Sequence, residues 1–330
     1  MNILITGASG FIGSFLVEEA LQRGMNVYAA VRPSSSKQYL KQKDIQFIEL
    51  NLNDEQQLTK QLTHIPFDYV IHAAGITKCN DFHAFYDINT KGTENLCKAL
   101  KNTQQHLKRF VFLSSLSVIG AVKEKQPHRP ITDYDTPQPN TKYGDSKLKA
   151  EHVVRQLMSD IPYIILRPTG VYGPREKDYF LMAKSIAGHI DFAVGYRQQH
   201  ITFIYVKDLV QAAFLALKAN TQQNTFILSD GETYKSTAFS SLIKQELNTW
   251  CLRIKAPIFI LKAVCAIAQR AAKIRKTDST LNNDKYLILK QRNWMCDITP
   301  ALQQLDYKPQ YTLEEGVHET IEWYKQNKWL

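Results

Sequence analysis

Short apolar runs alternate with longer amphipathic ones through the first half of the chain. Runs at 2–6, 26–31, 46–50, 68–73, 109–114 and 162–167 have the length of buried strands, and the apolar spacing at 11–24, 54–63, 84–107 and 142–159 is helical. This order predicts an α/β fold, a doubly wound parallel sheet covered by helices on both faces. Past residue 168 the alternation weakens. Residues 202–206 and 225–228 read as strands on either side of a helix at 207–219, rejoining or extending the sheet. The stretch 230–330 is helix-rich, with an amphipathic helix at 312–326. Four prolines between 123 and 141 mark an exposed loop near one end of the sheet.

The first strand runs straight into Thr6-Gly7-Ala8-Ser9-Gly10-Phe11-Ile12-Gly13, and a helical pattern follows. Glycines in a strand–turn–helix let the chain turn tightly, let a pyrophosphate approach the backbone and let helix and strand pack closely. The helix N-terminus adds free N–H groups and a positive dipole. Gly7, Ser9, Gly10, Phe11, Ile12 and Gly13 are therefore the candidate phosphate cradle, although the spacing is G-x-x-G-x-x-G rather than the commoner G-x-G-x-x-G. A Rossmann-type dinucleotide-binding domain is expected over 1–168, with 202–229 rejoining it. A smaller substrate-binding domain takes 169–201 and 230–330.

Tyr143 and Lys147 are four residues apart and share a helix face. An ammonium beside a phenol favours the phenolate, which prepares the tyrosine to exchange a proton near neutral pH. The apolar run at 110–113 ends in Ser114, Ser115 and Ser117, and Ser117 is the candidate donor to a substrate oxygen.

With these pieces the chain resembles the extended short-chain dehydrogenase/reductase superfamily, the group that includes the NAD-dependent epimerase/dehydratases. The likeness rests on the glycine turn, His72-Ala73-Ala74-Gly75, the run at 89–93, the run at 114–120, Tyr143 with Lys147, Leu166-Arg167-Pro168 with Tyr172-Gly173-Pro174, and the run at 203–208. It implies that Tyr143 is the acid/base, that Lys147 lowers its pKa and holds the nicotinamide ribose, and that Ser117 orients the substrate oxygen. It also implies that Ala73, Ala74 and Gly75 line the cofactor and that Pro168 lies near the nicotinamide. Asn89 supports the middle of the sheet, and His72 is a packed strand-end residue. Asn51-Leu52 replaces the Asp-Leu pair that many relatives place beside the adenine. Gly170 stands where nucleotide-sugar members carry an Asn, and no Asp-Glu pair follows Ser117. The Arg-Pro form is more similar to the dihydroflavonol reductase and 3β-hydroxysteroid dehydrogenase branches. Relatives often form homodimers through two helices, here near 84–107 and 142–159.

No acidic residue ends the second strand, where NAD-preferring sites hold the ribose 2′-OH. Arg32 stands there with Ser34, Ser35 and Lys37. A guanidinium suits a 2′-phosphate, so NADP is the expected cofactor, with NAD as the alternative. The expected activity is interconversion of a carbonyl and a secondary alcohol on a small-molecule substrate. The alternatives are a nucleotide-sugar epimerase or dehydratase holding NAD, and a cofactor-sensing binding protein.

Composition narrows the classes further. Hydrophobic residues make up 44% and charged residues 22%, as in a soluble globular protein. The five cysteines show no paired or metal-type spacing, and no His/Cys cluster offers a metal site. Reduced thiols and a first strand that begins at once predict a cytoplasmic protein. The formal net charge is +10, and residues 253–292 hold ten Lys/Arg against two Asp. No aromatic-interleaved motif accompanies that stripe, so no nucleic acid is expected. Lys262 and Arg270 break the apolar run around them, which excludes a spanning helix. The segment 253–276 then reads either as a core helix with solvated charges or as a basic amphipathic helix that touches a membrane surface or a lipophilic substrate.

Overall fold

The computed structural model describes residues 1–79, 81–104, 106–275 and 281–330. Six strands build the first part: β1 Asn2–Thr6, β2 Asn26–Val31, β3 Ile45–Glu49, β4 Tyr69–His72, β5 Arg109–Leu113 and β6 Tyr163–Pro168. With the strand Asn224–Leu228 they form one parallel sheet, ordered Asn224–Leu228, β6, β5, β4, β1, β2, β3. The central strands are continuous apolar runs because both faces are covered. Ile3, Leu4, Ile5, Val70, Ile71, Val111 and Phe112 have no exposed surface. Each such side chain contributes about 1.5–3 kcal/mol through burial. This is the doubly wound arrangement that the alternation predicts, and the order reverses between β1 and β4. In open α/β sheets the ligand crevice lies at that point, beyond the carboxyl ends of the strands.

The helices are α1 Phe11–Gln22, α2 Glu55–Leu62, α3 Phe82–Phe85, α4 Gly92–Thr103, α5 Lys142–Leu157, α6 Lys177–Ala187, α7 Val206–Lys218, α8 Ala238–Glu246, α9 Ile258–Arg275, α10 Asn283–Lys290, α11 Thr299–Gln304 and α12 Leu313–Gln326. The single helix expected over 84–107 is broken. A π-helical turn, Tyr86–Lys91, separates α3 from α4. The extra residue per turn brings Asn89 and Thr90 to face α5, where Asn89 Nδ2 donates to Ser146 Oγ at 3.0 Å and Thr90 Oγ1 to the Ser146 carbonyl at 2.8 Å. The strand Phe203–Tyr205 pairs with Gly170–Tyr172 outside the main sheet, whereas Asn224–Leu228 joins its edge at β6. α12 starts with a capping box between Thr312 and Glu315.

Candidate active site

The glycine turn is built as the sequence requires. Gly7 has φ +69°, and a Cβ there would lie 2.7 Å from the Ala74 nitrogen and 2.8 Å from the Ala73 carbonyl. A Cβ on Gly13 would overlap the Gly7 carbonyl oxygen. Gly10 is the N-cap of α1 and brings no side chain to the helix terminus. The turn, the α1 N-terminus and the Ala73-Ala74-Gly75 segment therefore meet at the switch point, with backbone rather than side chains facing the crevice.

A buried chain of hydrogen bonds runs beneath it. Thr93 Oγ1 donates to the Asn89 carbonyl at 2.6 Å, so its oxygen accepts from His72 Nε2 at 2.9 Å. That fixes the proton on Nε2 and leaves Nδ1 to accept from Thr6 Oγ1 at 2.6 Å. Thr6 Oγ1 in turn accepts the Ala74 N–H at 3.2 Å. Burial lowers the His72 pKa to about 3, and the nearby Lys147 adds to the fall. The ring is stacked on Phe112 at 5.6 Å, as a neutral packed residue. Asn89 continues the network, exchanging bonds with the Ile76 backbone at 2.8 and 3.0 Å. It ties the cofactor-side loop to α5 rather than bracing the sheet alone.

Thr141 caps α5, and Tyr143 and Lys147 follow on its first turns. Lys147 is buried, with Nζ 4.3 Å from the Phe112 ring centre and 3.8 Å from where a Gly75 Cβ would stand. No hydrogen bond ties Nζ to an acceptor among the described residues. Desolvation brings its pKa down to about 7, against the upward pull of Glu151 one turn on. The Tyr143 phenol departs from the sequence reading. Its pKa is raised, because burial outweighs the hydrogen bond with the Ser115 hydroxyl that favours the phenolate. A desolvated lysine near neutrality does not supply the full positive charge that the reading assumed.

The hydroxyl that acts on the Tyr143 phenol is that of Ser115. Beyond β5 the side chains alternate. Ser114 points under the sheet to Glu151 at 2.6 Å, and Ser115 faces the phenol. Ser115 Oγ also accepts the Ser117 N–H at 3.1 Å, capping the short 3₁₀ turn Leu116–Val118. Ser117 is present through its backbone. A Cβ on Gly144 would overlap its carbonyl oxygen, so Gly144 lets α5 approach this turn. No hydrogen bond joins the Ser117 hydroxyl to Tyr143 or Lys147.

Two further side chains support the site. Glu151 is fully buried and receives Arg167 in a two-pronged pair at 2.9 and 2.6 Å, pinning α5 to β6. Asp284 of α10 accepts the Tyr143 N–H at 3.0 Å and so holds the start of α5 from outside the sheet. Residues near 145 and 284 in sequence share no pattern that announces either contact.

The remaining candidates lie around the crevice. Arg32 follows β2, is exposed, and its backbone forms a turn with Ser35 at 3.0 and 2.9 Å; no carboxylate pairs with its guanidinium among the described residues. Asn51 Oδ1 accepts the Asn53 N–H at 3.1 Å. The Leu52 carbonyl receives Asn95 at 2.8 Å. Pro168 ends β6, buried and in register with Leu228. Gly170 follows, and a Cβ there would lie 2.8 Å from the Tyr179 hydroxyl, which fills the position.

A glycine cradle at the switch point, an open buried amine and a phenol at the strands' carboxyl ends define a dinucleotide-dependent enzyme of carbonyl chemistry. The model of the NAD dependent epimerase/dehydratase family matches residues 3–228, and the chain belongs to that family. It is an NAD(P)-dependent enzyme of the extended short-chain dehydrogenase/reductase type. It is 25% identical over 346 residues to the decarboxylating sterol-4-alpha-carboxylate 3-dehydrogenase of Candida albicans, covering 98% of this chain and 97% of the relative. It is 25% identical over 329 residues to the UDP-glucose 4-epimerase of Vibrio cholerae, covering 97% and 94%. Among solved structures, the UDP-glucuronic acid 4-epimerase of Bacillus cereus in complex with NAD has the same fold, with a TM-score of 0.78, 22% identity and 99% of both chains covered.

Proposed function

We propose that this chain is an NADPH-preferring oxidoreductase that interconverts a carbonyl and a secondary alcohol on an apolar or amphiphilic small molecule. The observation that carries the reading is the Tyr143 phenol, paired with Ser115 on a helix that also presents the buried Lys147 amine. The residues present fit a nicotinamide dinucleotide: an unpaired buried amine, a backbone-lined cradle in which Gly7 and Gly13 exclude side chains, and a free helix terminus. Gly7, Ser9, Gly10, Phe11, Ile12 and Gly13 hold the pyrophosphate. Arg32 meets the adenosine 2′-phosphate, Asn51 and Leu52 border the adenine, and Ala73, Ala74, Gly75 and Pro168 line the nicotinamide side. When bound, the cofactor supplies or takes up the hydride. Tyr143 passes a proton to or from the substrate oxygen, and Ser115 keeps the phenol aimed at it. Lys147 sits where the ribose hydroxyls are expected, and an anionic ligand nearby restores its charge.

The NADPH preference rests on Arg32 and on the lack of an acid at the end of β2. Gly170 supports the reductase over sugar-nucleotide chemistry, since an Asn there would have to displace the Tyr179 hydroxyl, 2.8 Å from its Cβ. The sterol relative's name is in keeping with a lipophilic substrate. The epimerase reading is favoured by the V. cholerae relative and the NAD-bound neighbour. The two separate in one assay: a reductase changes nicotinamide absorbance stoichiometrically with substrate, and an epimerase isomerises UDP-sugars with no net change. Turnover of UDP-glucose or UDP-glucuronate without an absorbance change would overturn the reductase. Cys97, Cys251, Cys265 and Cys296 form no disulfide among the described residues, in keeping with a cytoplasmic location.

A further inference from the structure

Residues 247–275 contain six Lys/Arg and no Asp or Glu. The chain there forms the strand Leu252–Ala256 and then α9, joined through Pro257. The strand pairs in parallel with Ile190–Val194, so Leu252 stands beside Ile190 and Ile254 beside Phe192. One side of this ribbon is fastened to the body of the protein, where Arg253 meets the buried Asp191 at 2.6 Å and Asp191 also receives Ser240. The alternate side chains face out and are apolar, with Leu252 63% and Phe192 61% exposed.

α9 has the same inversion. Leu261, Cys265 and Ala272 form its buried stripe. The opposite side of a surface helix is normally polar. Here it carries Phe259, Ile267 and Ile274, exposed by 74%, 65% and 83%. Lys255, Lys262, Arg270 and Arg275 are exposed among these apolar groups, and none pairs with a carboxylate among the described residues. Trp250 and Tyr196 add exposed aromatic rings at the ribbon. α9 itself packs against α10, the helix whose Asp284 holds the Tyr143 N–H.

We infer that α9 and the ribbon of Ile190–Val194 and Leu252–Ala256 are a docking face for an anionic lipid bilayer. Exposed apolar side chains interleaved with unpaired cations and flanked by Trp and Tyr are what an interfacial element needs. The apolar groups enter the acyl boundary while the cations meet anionic headgroups. No helix among the described residues is long and apolar enough to cross a membrane, so the element lies on the surface. A second copy of this chain is disfavoured, because a symmetric contact sets like cations against each other. The face adjoins α10, so docking brings the bilayer to the helix that positions Tyr143. The inference stands on this surface alone and does not depend on which substrate is reduced.

The test is flotation of the full chain with phosphatidylcholine vesicles, with and without about a third phosphatidylglycerol. Two paired variants, Lys262→Glu with Arg270→Glu and Phe259→Ser with Ile267→Ser, alter only exposed side chains, and their melting temperatures are checked. The parent chain is expected to float with the anionic vesicles, less so at high salt. The charge pair should lower partitioning at least about tenfold, given about a kcal/mol per cation near such a surface. The apolar pair should lower it on the same vesicles. Failure of the parent chain to bind anionic vesicles at low salt, or binding untouched by both pairs, overturns the inference. So does self-association in sedimentation that the apolar pair abolishes while no vesicle binding is seen, which would give the face to a second copy.

Discussion

Replacing Glu151 by Gln is expected to weaken the whole fold. The carboxylate lies under the sheet with no exposed surface, joined to Arg167 at 2.9 and 2.6 Å and to Ser114 at 2.6 Å. The amide keeps the shape but leaves a buried guanidinium without its counter-charge, a loss of about 3–5 kcal/mol. Unfolding entropy of about 2.1 cal/mol/K per residue gives about 0.7 kcal/mol/K for a chain of this length, so the midpoint should fall by about 4–7 °C. Thermal unfolding of the cofactor-free protein by circular dichroism measures this. Replacing both partners, Glu151→Met with Arg167→Met, removes both charges and should recover most of the loss. The single variant also acts on the site, because Glu151 is the group that holds the Lys147 pKa up. A fall below about 1.5 °C, or a double variant no better than the single one, would refute the claim that this pair pins α5 to β6.

Ser115→Ala should lower turnover about 10²-fold and Ser117→Ala less than tenfold, because Ser115 is the hydroxyl that favours the phenolate; steady-state rates with saturating cofactor decide it. Lys147 titrates near 7 in the fold and near 10.5 unfolded, so between those values only the unfolded chain holds the proton. Its contribution to stability therefore rises with pH across that window and is least favourable below about 7. Urea unfolding at a series of pH values should show that slope in the parent and lose it in Lys147→Met; equal slopes would contradict the burial argument. Arg32→Ala should cut the ratio of NADPH to NADH affinity about 10–100-fold in fluorescence titrations, and an unchanged ratio would remove Arg32 from cofactor selection.

The centre of the main sheet was legible because β1, β4, β5 and β6 are buried on both faces and read as apolar runs, whereas the edge strand β3 is largely exposed. β5 and β6 begin or end within a residue of where the pattern places them. The glycine turn was legible because Gly7 and Gly13 have a steric requirement that sequence displays directly. The break in the helix at 86–91 was hidden, since the π turn exists to satisfy Asn89 and Thr90 against Ser146, far along the chain. Ser115 and Ser117 have the same parity along an extended run, and only the 3₁₀ turn Leu116–Val118, which spacing does not announce, sends their hydroxyls different ways. The direction of the Tyr143 shift needed burial, which spacing does not report. The segment at 253–276 offered two readings, a core helix or a surface-seeking one. The exposed apolar side of α9 departs from the first; Lys276, the last residue of that sequence segment, lies outside the described residues.

Tyr143→Phe tests the central claim most directly. The variant removes one oxygen from a half-buried ring and leaves the glycine cradle, Arg32 and Lys147 in place. Cofactor affinity by titration and turnover by nicotinamide absorbance are measured on the same preparation. The account predicts dinucleotide binding within about threefold of the parent and turnover lowered by at least about 10²-fold, the contribution of a positioned acid or base. Full turnover in the variant would contradict it.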